Sequence, residues 1–167
     1  MKQTLVALVE NEPGVLNRVA SLFRRRNFNI DSLTVGRTEN PDVSRMTIVV
    51  DSTVTSVYQV EKNLVKLVNV LLVDEVTEKP FFSRDLALIK VRASDAARAL
   101  ADKYGAKLID HSNGLMLFEY SDEEQRVEQL VQELNPLGIV EMVRTGVVAM
   151  GKGELILHPD PEDKVVA

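Results

Sequence analysis

The run Glu10-Asn11-Glu12-Pro13-Gly14-Val15-Leu16-Asn17-Arg18-Val19 is where this chain could do chemistry. It follows an apolar, β-prone stretch over 5–9 and opens a segment with helical spacing. Pro13 suits the first turn of a helix, because its missing N–H would have no partner there. Gly14 has no side chain, so a ligand can come close to the backbone. Unpaired N–H groups at a helix start, with the positive end of the helix dipole, attract a carboxylate. Nothing beside them looks like a nucleophile or a metal cage. The segment reads as a holder of a small anion or zwitterion that it does not transform.

Other polar groups read as ordinary surface. Arg24-Arg25-Arg26 fits a solvated helix end, where basic residues suit the dipole. Arg45 is expected in a strand-surface salt bridge. His111 and His158 are too far apart in sequence to suggest a metal pair, and Asp110 beside His111 reads as a solvated pair. Asp122-Glu123-Glu124 is the acidic first turn expected of a helix.

The elements that must position the loop follow from periodicity. Residues 4–9 predict a strand and 13–26 a helix, with Val15, Leu16, Val19, Leu22 and Phe23 along its apolar side. Strands are predicted over 28–35 and 45–51 around the turn Thr38-Glu39-Asn40-Pro41-Asp42. A helix over 55–67 and a strand over 70–77 complete the unit. Residues 78–85 read as a linker. The pattern then recurs: a strand over 86–91, a short helix capped by Ser94 and ending near Tyr104, and a hairpin of 106–110 and 115–120. An acidic helix over 122–134 and a long strand over 139–149 follow, with a frayed tail over 159–167.

The fold class is therefore α+β, with two tandem ferredoxin-like βαββαβ domains over 1–77 and 86–158. Each is expected to be an antiparallel sheet with its helices on one face. The first strand is apolar on both faces, Leu5, Ala7 and Val9 alternating with Val6 and Leu8. A sheet covered on one face alternates more cleanly, so the other face or an edge is expected to meet a second subunit or the second domain.

Composition narrows the classes. Of 167 residues 45% are hydrophobic, enough for real cores, and only 5% are aromatic, so the cores are aliphatic. The absence of Cys excludes disulfides, thiolate metal sites and cysteine catalysis. The net charge of −5, all of it in residues 81–167, argues against nucleic acid as a partner. No apolar run approaches the roughly 20 residues of a membrane span, and the expected location is cytoplasmic.

Three stretches carry a family resemblance. They are Asn11-Glu12-Pro13-Gly14-Val15-Leu16-Asn17-Arg18-Val19, then Arg26-Asn27-Phe28-Asn29-Ile30-Asp31-Ser32-Leu33-Thr34-Val35, then Ser44-Arg45-Met46-Thr47-Ile48. Together they resemble the ACT domain of acetohydroxyacid synthase (acetolactate synthase) small regulatory subunits. Leu67-Val68-Asn69-Val70 and Arg144-Thr145-Gly146-Val147-Val148 are similar to the same family. The second unit departs from its pattern: the helix over 94–104 is short, a charged stretch before Gly105 is missing, and Arg92-Ala93-Ser94-Asp95 replaces the Asn-x-x-Gly loop.

The resemblance implies a non-catalytic subunit of valine, leucine and isoleucine biosynthesis. It would bind and activate the catalytic large subunit and confer feedback inhibition by a branched-chain amino acid, usually valine. Thiamine diphosphate, Mg and FAD would belong to the large subunit, with no cofactor or metal in this chain. The resemblance further implies a homodimer through ACT domains, with the effector between them: Asn11, Gly14, Val15 and Leu16 from one chain, Asn29 and Ile30 from its partner. Backbone N–H groups of residues 14–16 could hold the effector carboxylate. The amides of Asn11 and Asn29 offer donors and acceptors, and Ile30 and Leu33 offer apolar contact. No effector site is expected in the second unit.

Three other functions compete. An RNA-recognition module shares the element order but stacks bases on strand aromatics, and Arg45-Met46-Thr47-Ile48-Val49-Val50 has none. An acylphosphatase-like hydrolase needs a cationic loop, and the first loop carries Glu10 and Glu12 instead. A stand-alone ACT-domain amino-acid sensor without a catalytic partner remains as the alternative.

Overall fold

Alternating apolar residues build the first sheet, and a computed structural model describes residues 1–158 of the chain. The elements of the first unit are β1 (Lys2–Glu10), α1 (Val15–Arg26), β2 (Ile30–Arg37), β3 (Val43–Asp51), α2 (Val57–Leu64) and β4 (Val70–Glu75). The strands lie in the order β2-β3-β1-β4, all pairs antiparallel. Leu5, Ala7 and Val9 of β1 and Met46, Ile48 and Val50 of β3 face the helices. They pack with Val15, Val19, Leu22 and Phe23 of α1 and with Val57, Val60 and Leu64 of α2.

The second unit contains most of β5 (Phe81–Arg92), then α3 (Asp95–Tyr104), β6 (Lys107–Ser112), β7 (Leu115–Asp122), α4 (Glu124–Leu134) and β8 (Ile139–Arg144). Its strand order is β6-β7-β5-β8. Ala87, Ile89, Val91 and Phe118 pack against Ala97, Ala101, Val127, Leu130 and Leu134 of its helices. Two ferredoxin-like βαββαβ arrangements are present, as the periodicity predicts. Asp85 is buried in this unit, and Arg144 Nε donates to its Oδ2 at 2.8 Å while Nη1 donates to Glu128 Oε2 at 2.8 Å. Burial pulls the Arg144 pKa down, but the hydrogen bonds to Asp85 and Glu128 outweigh it and the net direction is up.

Several predicted boundaries move. The helix predicted from Pro13 begins at Val15, because Val15 N–H is turned back to Glu12 O at 3.4 Å and Gly14 adopts φ +88°. The segment 78–85, expected as a linker, is strand from Phe81 onward. The long strand expected over 139–149 is broken: β8 stops at Arg144, Gly146 takes φ +84°, and a separate β9 (Val148–Gly151) pairs with β5. Residues 149–158 cluster with the first unit. The tail expected over 159–167 lies outside the described residues.

That return segment changes the meaning of the doubly apolar first strand. Val6 is buried against Val76 and Ala149, with Phe81 and Leu157 packed beside them. Arg45, expected in a surface salt bridge, donates from Nη2 to Ala149 O at 2.7 Å. Burial lowers the Arg45 pKa, with Glu39 opposing the shift. The second face of β1 is thus covered by the chain's own return, and its apolar pattern gives no reason to expect another subunit there. No helix among the described residues is long and apolar enough to cross a membrane.

Candidate effector site

The 11–14 loop joins the end of β1 to the start of α1, and its four residues are exposed. Gly14 is the N-cap of α1 and offers no capping side chain. A Cβ at Gly14 would meet nothing within 4 Å; the glycine is required by its positive φ, not by crowding. The N–H groups of Leu16 and Asn17 find neither a backbone acceptor nor a capping side chain among the described residues, whereas Arg18 N–H reaches Gly14 O at 3.0 Å. The first turn of α1 holds no acidic residue. This helix start is open to a carboxylate from outside.

The predicted residues play unlike parts. Val15 is buried in the core, so only its backbone faces the loop, while Leu16 is 47% exposed. Asn11 spends its side chain on the neighbouring turn: Nδ2 donates to Pro41 O at 2.8 Å, and Oδ1 accepts from Ser44 Oγ at 3.2 Å. Its N–H also donates to Asp42 O at 2.8 Å. Asn11 therefore holds the loop against the β2–β3 turn and has one N–H and one lone pair to spare.

Asn29 and Ile30 stand elsewhere. Ile30 pairs with Val50 on β3, whereas Asn11 lies beside Asp42. Eight residues of strand separate those levels, about 26 Å at the usual rise. One chain therefore does not bring the two groups together. Ile30 and Leu33 are half-buried against the helix-side core, so neither is a free apolar wall. Asn29 is exposed and its N–H donates to Thr55 Oγ1 at 3.3 Å. Thr55 is placed in turn by Asp51, whose backbone carbonyl accepts from Thr55 N–H at 2.9 Å. The backbone N–H and hydroxyl of Thr53 hold the Asp51 carboxyl down to about 2, with help from the terminal ammonium. Two residues before Asn29, Asn27 takes the left-handed conformation, at φ +54°, where it ends α1.

Sequence reading missed one contact beside the loop. Asn69, one residue of the family-like stretch Leu67-Val68-Asn69-Val70, to which no role was assigned, bridges Arg18 of α1 and Glu10 of β1. Its only sequence signal is a polar residue between apolar neighbours just before a strand.

In the second unit the corresponding helix start is closed. Ser94 Oγ accepts from Ala97 N–H at 3.1 Å, and Asp95 occupies the first turn. Among the described residues, no group of three or more His, Cys, Asp or Glu could hold a metal ion.

The chain is similar to known proteins over nearly its whole length. Residues 5–72 match the AHAS small subunit-like ACT domain, and residues 84–153 match the family described as the small subunit of acetolactate synthase. An acetolactate synthase small subunit of Mycolicibacterium smegmatis is 45% identical over 90% of this chain and 91% of its own length. One from Mycobacterium leprae is 46% identical with the same coverage. The crystal structure of the acetolactate synthase small subunit from Thermotoga maritima superposes with a TM-score of 0.84 at 35% identity, covering 93% of this chain and 99% of that one.

Proposed function

Since the chain belongs to the acetolactate synthase small subunits, the non-catalytic regulatory partners of that synthase, we propose that its 11–16 segment senses a branched-chain amino acid, valine first among them. The effector carboxylate lies on the open N–H groups at the start of α1, and its aliphatic group lies against exposed Leu16. Residues Asn29 and Ile30 of a second copy complete the site.

The observation that carries this reading is the separation of the two groups by about 26 Å of strand. Two copies related by a two-fold axis can bring opposite ends of their sheets side by side. β2, which carries Ile30, is an edge strand of its sheet. Ile30 then contributes through its backbone, because its side chain packs inward. Asn29 contributes through its exposed amide.

Association with the catalytic large subunit follows from the family. Inhibition requires the effector to favour one arrangement of the paired domains and the large subunit the other. The coupling between the two bindings is then reciprocal. One or two methylenes are worth only about 1–3 kcal/mol in such a pocket, so valine, leucine and isoleucine all belong in the test. The full chain is mixed with a catalytic large subunit and assayed with each of the three, beside calorimetry on the chain alone. Activation by the chain and heat with at least one amino acid at millimolar concentration are expected. Absence of heat with all three would end the effector reading; absence of activation would leave a stand-alone sensor.

A further inference from the structure

Asn69 sits in the bend between α2 and β4 and is only 6% exposed. Its amide reaches two elements distant in sequence. Oδ1 accepts from Arg18 Nη1, and Nδ2 donates to Glu10 Oε2 at 2.6 Å. Its backbone carbonyl accepts from Glu10 N–H at 2.9 Å. A guanidinium only donates and a carboxylate only accepts, so the orientation of the amide is dictated by its partners. An asparagine that merely shaped its own bend would bond within that bend.

The two partners bracket the effector loop. Glu10 directly precedes Asn11, and Arg18 N–H holds the carbonyl of Gly14 at 3.0 Å. The loop between them is exposed, so little packing of its own restrains it. Asn11 ties one side to the 41–44 turn, and Asn69 clasps the base on the other. Both side-chain bonds of Asn69 have a charged partner, which places them among the stronger hydrogen bonds. An aspartate there would suit Arg18 but set two carboxylates in contact. An apolar residue would satisfy neither charge.

We propose that Asn69 is a positioning residue of the effector site: its bridge from Arg18 to Glu10 sets the course of the 11–14 loop and thereby the affinity for the effector. The proposal rests on the reading that this loop holds the effector, and its test separates the two.

The full chain is studied by amide hydrogen exchange without effector and by calorimetry with valine. In Asn69→Ala, the hydrogen-bonded amides around the loop, those of Asn11, Val15 and Arg18, are expected to exchange about tenfold faster, with α3 and α4 unchanged, and valine binding to weaken about tenfold. Asn69→Asp alone is expected to weaken binding at least as much. Asn69→Asp combined with Glu10→Gln exchanges donor and acceptor: the amide now at position 10 donates to the carboxylate now at position 69, which still accepts from Arg18. That pair restores both exchange and affinity, whereas a role in folding alone would not be rescued by reversing one hydrogen bond. Exchange and affinity within about twofold of the unaltered chain in Asn69→Ala, or no rescue by the pair, would overturn the proposal. If Asn69→Ala does not fold, Arg18→Met cuts one arm from the exposed side and is read in the same way. Should the unaltered chain bind no branched-chain amino acid, the effector reading falls, and exchange at the Asn11, Val15 and Arg18 amides still decides the bridge.

Discussion

The two units share an order of strands and helices but begin their first helices in opposite ways. In the second, β5 passes through Ala93 to Ser94, whose hydroxyl accepts from Ala97 N–H, and Asp95 faces the dipole. That helix start is satisfied from within. In the first, the chain takes an exposed detour over 11–14, caps α1 with a glycine, and leaves Leu16 and Asn17 N–H without acceptors among the described residues. A donor left unpaired is a cost to the isolated chain and an opportunity for an anion. The second unit instead invests in internal ionic contacts, with Asp85, Arg144 and Glu128 joined. The same fold thus closes its first helix start from within in one unit and leaves it uncapped by a side chain in the other.

The largest effect should come from breaking the closed unit. Arg144→Ala leaves Asp85, 1% exposed, as a buried charge without its partner. A loss of about 3–5 kcal/mol is expected, read by urea unfolding. A loss under about 1 kcal/mol would mean that the pair behaves as a surface contact.

Next is the open unit. Gly14→Asp places a like charge beside the effector carboxylate, and an effector affinity about a hundredfold lower is expected by calorimetry. Gly14→Asn separates the causes, because asparagine tolerates positive φ and carries no charge; a loss of no more than about tenfold is expected. Equal losses in both variants would show that backbone strain, not charge, blocks binding.

Ser94→Ala sharpens the comparison from the closed side. It should cost about 1 kcal/mol of stability and leave effector affinity unchanged. A change in affinity would mean that the second unit takes part in the site.

The smallest effect concerns Asp51, which places Thr55 beside Asn29. Its carboxyl is held down to about 2, below the usual value near 4. A depressed folded pKa gives stability that is present above the ordinary value and lost as pH falls through about 2. Thr53→Val removes one of the bonds to this carboxylate, and an NMR titration should place Asp51 higher, toward the ordinary range. No upward movement would show that the backbone N–H of Thr53 carries the shift unaided.

Local pattern made much of this molecule readable. Leu5, Ala7 and Val9 alternate, Val15, Val19 and Phe23 recur at helical spacing, and Ser94 stands where a cap should. Each is a property of residues close in sequence, so the elements and their order were legible. The Asn-x-x-Gly loop was legible for the same reason, since its backbone demand is met within a few residues. Asn11 is legible as a polar group of the loop, but the bonds from its amide to Pro41 and Ser44 are not. Those partners are distant in sequence, and no spacing announces them.

What the sequence determined by itself is the pair of βαββαβ units, the aliphatic cores and the Asn-x-x-Gly loop after the first strand of the first unit, with Arg92-Ala93-Ser94-Asp95 in its place in the second. Periodicity, capping and composition act over a turn or a strand and need no knowledge of what lies across the sheet. Tertiary structure alone decided three things. Ala149 and Leu157 pack on the Val6 face of β1, Asn69 clasps Glu10 to Arg18, and Asn11 and Ile30 lie at opposite ends of one sheet. Each depends on strand register and on contacts between distant residues, and a chain records those only when it is folded.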